Sequence, residues 1–82
     1  MDVADMPNIG GVLAGRLREI GITTDAQLLK LGDAAAFGRL RASLPADACT
    51  HTRLALAGAV RGVRWHALDK TLRLKLTGEA RS

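Results

Sequence analysis

The sequence has few of the side chains on which enzymes and metal sites are built. Its 82 residues include one cysteine, two histidines and no tyrosine. The single cysteine excludes an intrachain disulfide, and zinc needs about four ligands, which Cys49, His51 and His66 do not supply in any recognisable spacing. Cys49 and His51 are two positions apart, on different faces of a helix, so they do not pair as nucleophile and base. We expect a protein that is not an enzyme and binds no cofactor or metal.

Long apolar runs and aromatic side chains are also scarce. Arg or Lys interrupts every segment that approaches the roughly 20 apolar residues of a membrane-spanning helix, and the N-terminus has no secretion signal. We therefore expect a cytoplasmic protein with no membrane partner. A chain of 82 residues is one domain, and it is too small for a buried substrate pocket of the usual enzyme size. We expect no small-molecule substrate and a function on the surface or in a shallow groove.

The abundance of Leu and Ala and the spacing of apolar residues predict an all-α fold, a small bundle of about five short helices. Apolar side chains repeat at helical spacing from about Ile9 to Ile20, and Gly21 ends this first helix. A second helix is expected after Thr23 or Thr24, either of which can cap it. Its predicted buried side consists of Leu28, Leu29 and Leu31.

The middle of the chain predicts a third and a fourth helix. Asp33 is placed to cap a third helix that continues to Leu44. The fourth and longest helix is expected from about Ala46 to Arg61, and apolar residues cover so much of its circumference that we predict a central position. Cys49 in this helix is predicted to be a small buried hydrophobe.

The C-terminal segment allows two interpretations. Residues 63–68 are expected to form a turn or irregular link, with Asp69 placed to cap a final helix. Residues 71–77 alternate polar and apolar side chains, which is typical of a strand, whereas Leu72 and Leu76 alone fit a helix. We prefer the helix, because no other segment offers a strand partner and an isolated strand leaves its backbone groups unpaired.

The positive charge is concentrated in the second half of the chain. The formal net charge is +4. Acidic side chains outnumber basic ones five to three from Met1 to Gly38, whereas eight basic side chains face two acidic ones from Arg39 to Lys75. This asymmetry suits a polyanionic partner, either nucleic acid or an acidic protein surface. The alternative is that the arginines are only solvated helix faces.

Two local motifs stand out. In the segment Pro7–Gly11, a proline, a turn-forming Asn and paired glycines make a tight hairpin whose free N–H groups can face an anion, although such a hairpin also joins two helices in ordinary bundles. The sequence Arg64-Trp65-His66 is either a surface recognition element or a structural one. We prefer the structural interpretation for Trp65, because the core has only one other aromatic residue, and retain Arg64 as a surface candidate.

These motifs together resemble a known family. Residues 7–10, the following helix and the segment Gly21–Thr24 resemble the helix-hairpin-helix module of DNA-binding proteins. The order continues through residues 55–66, and nearly the whole chain resembles the C-terminal domain of the TfoX family, regulators of natural DNA transformation. Because the resemblance covers nearly the whole chain, it predicts a single domain of the C-terminal type over residues 1–82. TfoX proteins usually carry another domain before this one.

The resemblance implies a helix-hairpin-helix or SAM-like bundle with a role in competence for DNA uptake or its transcriptional control. By similarity to other helix-hairpin-helix modules, backbone N–H groups around Gly10, Gly11 and Val12 would hold a phosphate. The sequence departs from the common motif at two points. Asn8 replaces the first hairpin glycine, which Asn tolerates because it visits the left-handed conformation, and the basic residue that often follows the second glycine is absent.

The leading hypothesis is therefore weak DNA binding without strong sequence preference. The alternative is a protein-interaction module that docks on an acidic partner such as the transcription machinery. The predicted contact residues are Asn8, Gly10, Gly11, Arg61, Arg64, Lys70, Arg73 and Lys75.

Overall fold

Five α-helices joined by short turns form the computed structural model, which describes residues 1–82. The helices are α1 (Gly11–Glu19), α2 (Asp25–Leu31), α3 (Asp33–Leu40), α4 (Cys49–Arg61) and α5 (Lys70–Arg81). Short 3-10 turns lie at Val3–Asp5, Arg41–Ser43, Ala46–Ala48 and Trp65–Ala67. The prediction of a small all-α bundle is confirmed, and α5 covers the ambiguous residues 71–77.

Several helix ends follow from local chemistry. The Thr24 hydroxyl accepts from the Gln27 N–H while the Gln27 side chain accepts from the Thr24 N–H, which is a capping box at the start of α2. The Asp69 carboxylate caps α5 by accepting from the Thr71 N–H at 3.0 Å. Gly62 ends α4 in the left-handed conformation at φ 72°, as C-terminal glycines commonly do.

Other sequence predictions were wrong in detail. Asp33 does not cap α3, because Gly32, at φ 90°, is the cap and joins α2 directly to α3. The helix ends at Leu40 and continues only as a 3-10 turn, while another 3-10 turn delays the start of α4 to Cys49. Since α2 is only two turns long and its buried face is narrow, Leu29 lies off that face and is 53% exposed.

Helix α4 lies between two apolar clusters. Its residues Leu56 and Ala59 belong to the larger core, which also contains residues of α1, α2 and α3. Leu54 and Ala57 belong to a smaller cluster with Leu68 and Leu76. The prediction of a central fourth helix is confirmed, although Cys49 at its start is half-buried and packs on the edge of the larger core.

A buried ion pair ties three helices together. Arg53, 5% exposed on α4, donates to the Asp33 carboxylate of α3 at 2.7 Å and lies 3.6 Å from the Glu79 carboxylate of α5. Burial raises the pKa of Asp33, but the hydrogen bond and charge of Arg53, helped by Arg61, outweigh it and hold the pKa below its ordinary value. The pair therefore joins α3 to α4 and adds a weaker contact with the half-exposed Glu79 of α5.

None of the five helices has both the length and the apolar character needed to cross a membrane.

Candidate functional site

The hairpin before α1 owes its turn to Asn8. Asn8 adopts φ 70°, the left-handed conformation that the sequence predicted it would tolerate, and it is the only residue other than glycine with a positive φ. Gly10 is the N-cap of α1 in an extended conformation, at φ −84°, and Gly11 is the first helical residue. Both glycines are exposed, so the free N–H groups of the first turn of α1 face solvent.

The Asn8 side chain connects this hairpin to the Arg64-Trp65-His66 segment. Its amide nitrogen donates to the Val63 carbonyl oxygen at 2.9 Å and to the Ala55 carbonyl oxygen at 3.4 Å, and its amide oxygen accepts from the Trp65 N–H at 2.9 Å. The two motifs that the sequence singled out therefore meet in space. Because these bonds use both the donor and the acceptor of the amide, the Asn8 side chain has a structural role.

A close approach of backbones makes this connection possible. Asn8 reaches α4 beside Gly58, where a Cβ atom would lie 2.5 Å from the Asn8 amide nitrogen and 2.7 Å from the Val63 oxygen. Sequence reasoning overlooked Gly58. No sequence signal distinguishes it, because the helical Gly15 and Gly78 have no heavy atom within 4 Å of an added Cβ atom.

An open groove of about 690 Å³, here called the hairpin groove, lies between the hairpin and the Arg64-Trp65 segment. Residues 5–10 form one wall, and the side chains of Arg64, Trp65 and His51 contribute to the rest. His51 was not predicted as a site residue, because the residues next to it in the sequence form no recognisable binding motif. Its ring stands at 83° to the Trp65 indole with centroids 6.0 Å apart.

A second, shallower cavity of about 260 Å³, here called the Lys70 pocket, also has Trp65 in its wall. Lys70, Arg73, Leu74 and Thr77 of α5 line it together with Leu54 of α4. Trp65 is half-buried and packs on the smaller apolar cluster, which supports the structural interpretation of this residue.

Three of the predicted cations thus line the two cavities that share Trp65. Arg64 is in the hairpin groove, Lys70 and Arg73 are in the Lys70 pocket, and Trp65 belongs to both. We call these four residues the Trp65 face. None of the three cationic side chains forms an ion pair or hydrogen bond with another residue of the protein.

The other predicted residues lie elsewhere. The Arg61 guanidinium donates to the Ala57 carbonyl oxygen at 2.9 Å and lies 3.5 Å from the Asp33 carboxylate, in a different cavity from Arg64. Lys75 is exposed but follows Lys70 by five positions, which places the two roughly 140° apart around α5. The structure therefore does not bring Arg61 and Lys75 to the Trp65 face.

The chain offers no cluster of three or more His, Cys, Asp or Glu side chains arranged to hold a metal ion. The remaining features describe a small helical domain with an exposed helix start next to a groove and unpaired cations around a tryptophan.

This architecture belongs to a defined family. A family model described as the TfoX C-terminal domain matches residues 1–80. The chain is therefore a member of the TfoX C-terminal domain family, as the sequence predicted.

Solved structures share the same fold over nearly the whole chain. A crystal structure, in a triclinic form, of an uncharacterized protein from Listeria monocytogenes is 34% identical and superposes with a TM-score of 0.89, covering 99% of this chain and 91% of the other. A tetragonal crystal form of a Listeria monocytogenes protein of unknown function is 35% identical with a TM-score of 0.86, covering 98% and 96%. A search of curated proteins gave no match.

Proposed function

We propose that this domain is a non-enzymatic, cytoplasmic DNA-binding module of competence regulation, which binds the phosphate backbone weakly and without strong sequence preference. The observation that supports this most is the Trp65 face, where three cations lie together without intramolecular partners. Membership of the TfoX C-terminal domain family supplies the link to natural transformation.

The state of each cation decides which residues contact DNA. A lysine or arginine without an intramolecular partner can approach a phosphate and release a counterion without breaking an existing contact. Several basic residues meet this condition, and Arg64, Lys70 and Arg73 are the ones that line the cavities beside Trp65. Arg61 would first have to leave the Asp33 carboxylate and the Ala57 carbonyl, so we assign it to the fold and not to the interface.

The hairpin adds a second kind of contact. Gly10 and Arg64 line the same groove, and the N–H groups that open α1 carry the positive end of the helix dipole. A backbone that runs over Arg64 would pass close to these groups. The lack of a basic side chain at Gly11 and Val12 keeps this contact weak, which agrees with a modest overall affinity.

Charge reversal on the Trp65 face tests the proposal. The double variant Arg64→Glu, Lys70→Glu should weaken binding of a fluorescent duplex, measured by anisotropy at low salt, by at least about a hundredfold, because each of the two charged contacts contributes about 1.5 to 3 kcal/mol. Lys75→Glu is the matched control on the opposite side of α5 and should have a much smaller effect. Circular dichroism checks that both variants fold.

Absence of binding by the unaltered protein to any DNA at low salt would refute the proposal. A loss of binding free energy in Lys75→Glu that reaches half that of the double variant would also contradict it. The double variant changes the charge by four and Lys75→Glu by two, so this result would mean that total charge determines affinity.

One observation favours the second candidate, an acidic protein partner. Leu74 is 65% exposed and lines the Lys70 pocket beside two cations. An exposed apolar side chain ringed by positive charge suits an acidic segment with an apolar anchor. The substitution Leu74→Ser should weaken binding to such a protein, whereas DNA binding should depend mainly on Arg64, Lys70 and Arg73.

A further inference from the structure

Trp65 lines two cavities at once, the hairpin groove and the Lys70 pocket. The neighbouring rings of His51 and His66 stand at 83° and 87° to it, so neither histidine is stacked face to face on the indole. The ring is thus held by its neighbours in an edge-to-face arrangement.

The two cavities differ in charge. The hairpin groove contains Asp5 as well as Arg64, and a carboxylate repels an anionic ligand. The Lys70 pocket contains two cations and no acidic side chain. A phosphate is therefore favoured on the side of Lys70 and Arg73.

Arg73 has an unused donor at this position. Its Nε is the one buried side-chain nitrogen or oxygen in the chain without a hydrogen-bond partner. Because this nitrogen has almost no exposed surface, a bound anion would be held by the other N–H groups of the Arg73 guanidinium, which form no hydrogen bond within the protein. The Lys70 ammonium in the same pocket would supply a second charge-assisted bond.

The size and lining of the Lys70 pocket further limit the kinds of ligand that it can bind. A cavity of about 260 Å³ with Trp65 and Leu54 as apolar walls accepts a group of the size of a single nucleotide and not the width of a duplex. In a duplex the base faces are covered by neighbouring base pairs, whereas in a single strand they are free to stack on an aromatic side chain.

We propose that the Lys70 pocket binds one nucleotide of a single strand, with its phosphate between Lys70 and Arg73 and its base against Trp65. This inference rests on the DNA binding proposed above and specifies its substrate as single-stranded nucleic acid. Single strands would therefore bind more tightly than duplexes of equal length.

The protein carries its own reporter for this test. It has one tryptophan and no tyrosine, so its intrinsic emission comes from Trp65. Oligothymidylate of about eight nucleotides, a length within the range of single-strand sites, should quench this emission as it binds. A duplex of the same length and inorganic polyphosphate of the same charge are the controls, and neither should quench it.

Matched variants on α5 locate the phosphate. Lys70→Gln should weaken the binding of oligothymidylate, measured by anisotropy of a labelled strand, by about tenfold as expected for one charged hydrogen bond. Lys75→Gln should change it by less than about twofold, because an exposed charge away from the site contributes little. Both residues are exposed, so neither substitution disturbs the core.

The outcomes separate this inference from the proposed function. Binding of oligothymidylate without a change in Trp65 emission, or equal affinity for single strand and duplex, overturns the inference and leaves DNA binding intact. If the unaltered protein binds neither form of DNA at low salt, both are refuted.

Discussion

Asn8 meets two requirements at once, a left-handed backbone and a side chain with both donor and acceptor atoms. Replacing it with alanine removes the bonds to Val63 and Trp65 and leaves an alanine at φ 70°, a left-handed conformation that Asn tolerates better than Ala does. We expect Asn8→Ala to lower the free energy of unfolding by about 2 to 3 kcal/mol. Urea denaturation followed by Trp65 emission measures this change.

Asn8→Gly separates the two contributions. Glycine adopts the same backbone without strain but makes no side-chain bonds, so this variant should recover about 1 kcal/mol of the loss. Equal stability of Asn8→Ala and the unaltered protein would show that the Asn8 bonds do not hold the hairpin to α4.

Gly58 is the residue of α4 that the Asn8 side chain approaches closely. An alanine in a helix interior normally stabilises by about 1 kcal/mol relative to glycine. Here its Cβ would lie 2.7 Å from the backbone oxygen of Val63, which cannot move freely. We expect Gly58→Ala to destabilise the domain by about 1 to 3 kcal/mol, as measured by thermal denaturation.

Gly15 in α1 provides the control, because a Cβ atom there meets no heavy atom within 4 Å. Gly15→Ala should raise the stability by about 0.5 to 1 kcal/mol. If both alanine variants shift the stability in the same direction, the close approach at Gly58 is not limiting.

Helix α3 depends on the charge of Asp33. The neighbouring Arg53 holds the pKa of this carboxyl below its ordinary value of 3.8 despite partial burial. A carboxyl with a lowered folded-state pKa stabilises the fold above its unfolded pKa and loses that contribution as the pH falls through the folded value. The domain should therefore lose stability as the pH is lowered below about 4.

Removing the carboxylate tests this link between α3 and α4. Asp33→Asn should lower the stability at neutral pH by about 3 kcal/mol, because Arg53 is left buried without its closest partner. The decline below about pH 4 should become shallower in this variant. It should not vanish, since the pKa of Asp2 is also lowered by its bonds to the Ala4 N–H and Arg18. An unchanged acid profile would contradict the assignment.

Local patterns predicted the helices but not how they pair. The cap at Asp69 and the end of α4 at Gly62 depend on residues next to them in sequence, so they could be predicted. The bond between Asn8 and the Trp65 N–H joins residues 57 positions apart, and no local pattern carries that information. The partner of Arg61 was missed for the same reason, because Asp33 lies 28 positions away.

The candidate site was accordingly predicted in part. The sequence indicated the hairpin and the Arg64-Trp65-His66 segment separately, and the structure brings them to opposite sides of one groove. The sequence also identified the basic half of the chain. It could not distinguish cations that hold the fold, such as Arg61, from cations without a partner, such as Lys70. That distinction requires the positions of the carboxylates in space.

Basic side chains without an acidic partner lie at several places on the molecule, but three of them line the two cavities that share Trp65. Arg53 and Arg61 share the Asp33 carboxylate, and the Trp65 face keeps three cations without a partner. The effective charge available to a polyanion is therefore smaller than the number of basic residues suggests. The strength of binding should follow these three cations and not the net charge.

The dependence of binding affinity on salt concentration measures how many phosphates the protein contacts. Each phosphate contacted on a single strand contributes about −0.7 to the slope of log K against log salt concentration. One phosphate between Lys70 and Arg73 and a second at Arg64 therefore predict a slope of about −1.4. Arg64→Gln should reduce its magnitude by about 0.7, and Lys75→Gln should leave it unchanged. Anisotropy titrations of a labelled oligothymidylate at several salt concentrations give the slope for each variant. A slope unaffected by Arg64→Gln would place the phosphate contacts outside the Trp65 face, and a slope near zero would mean that binding does not depend on charge at all.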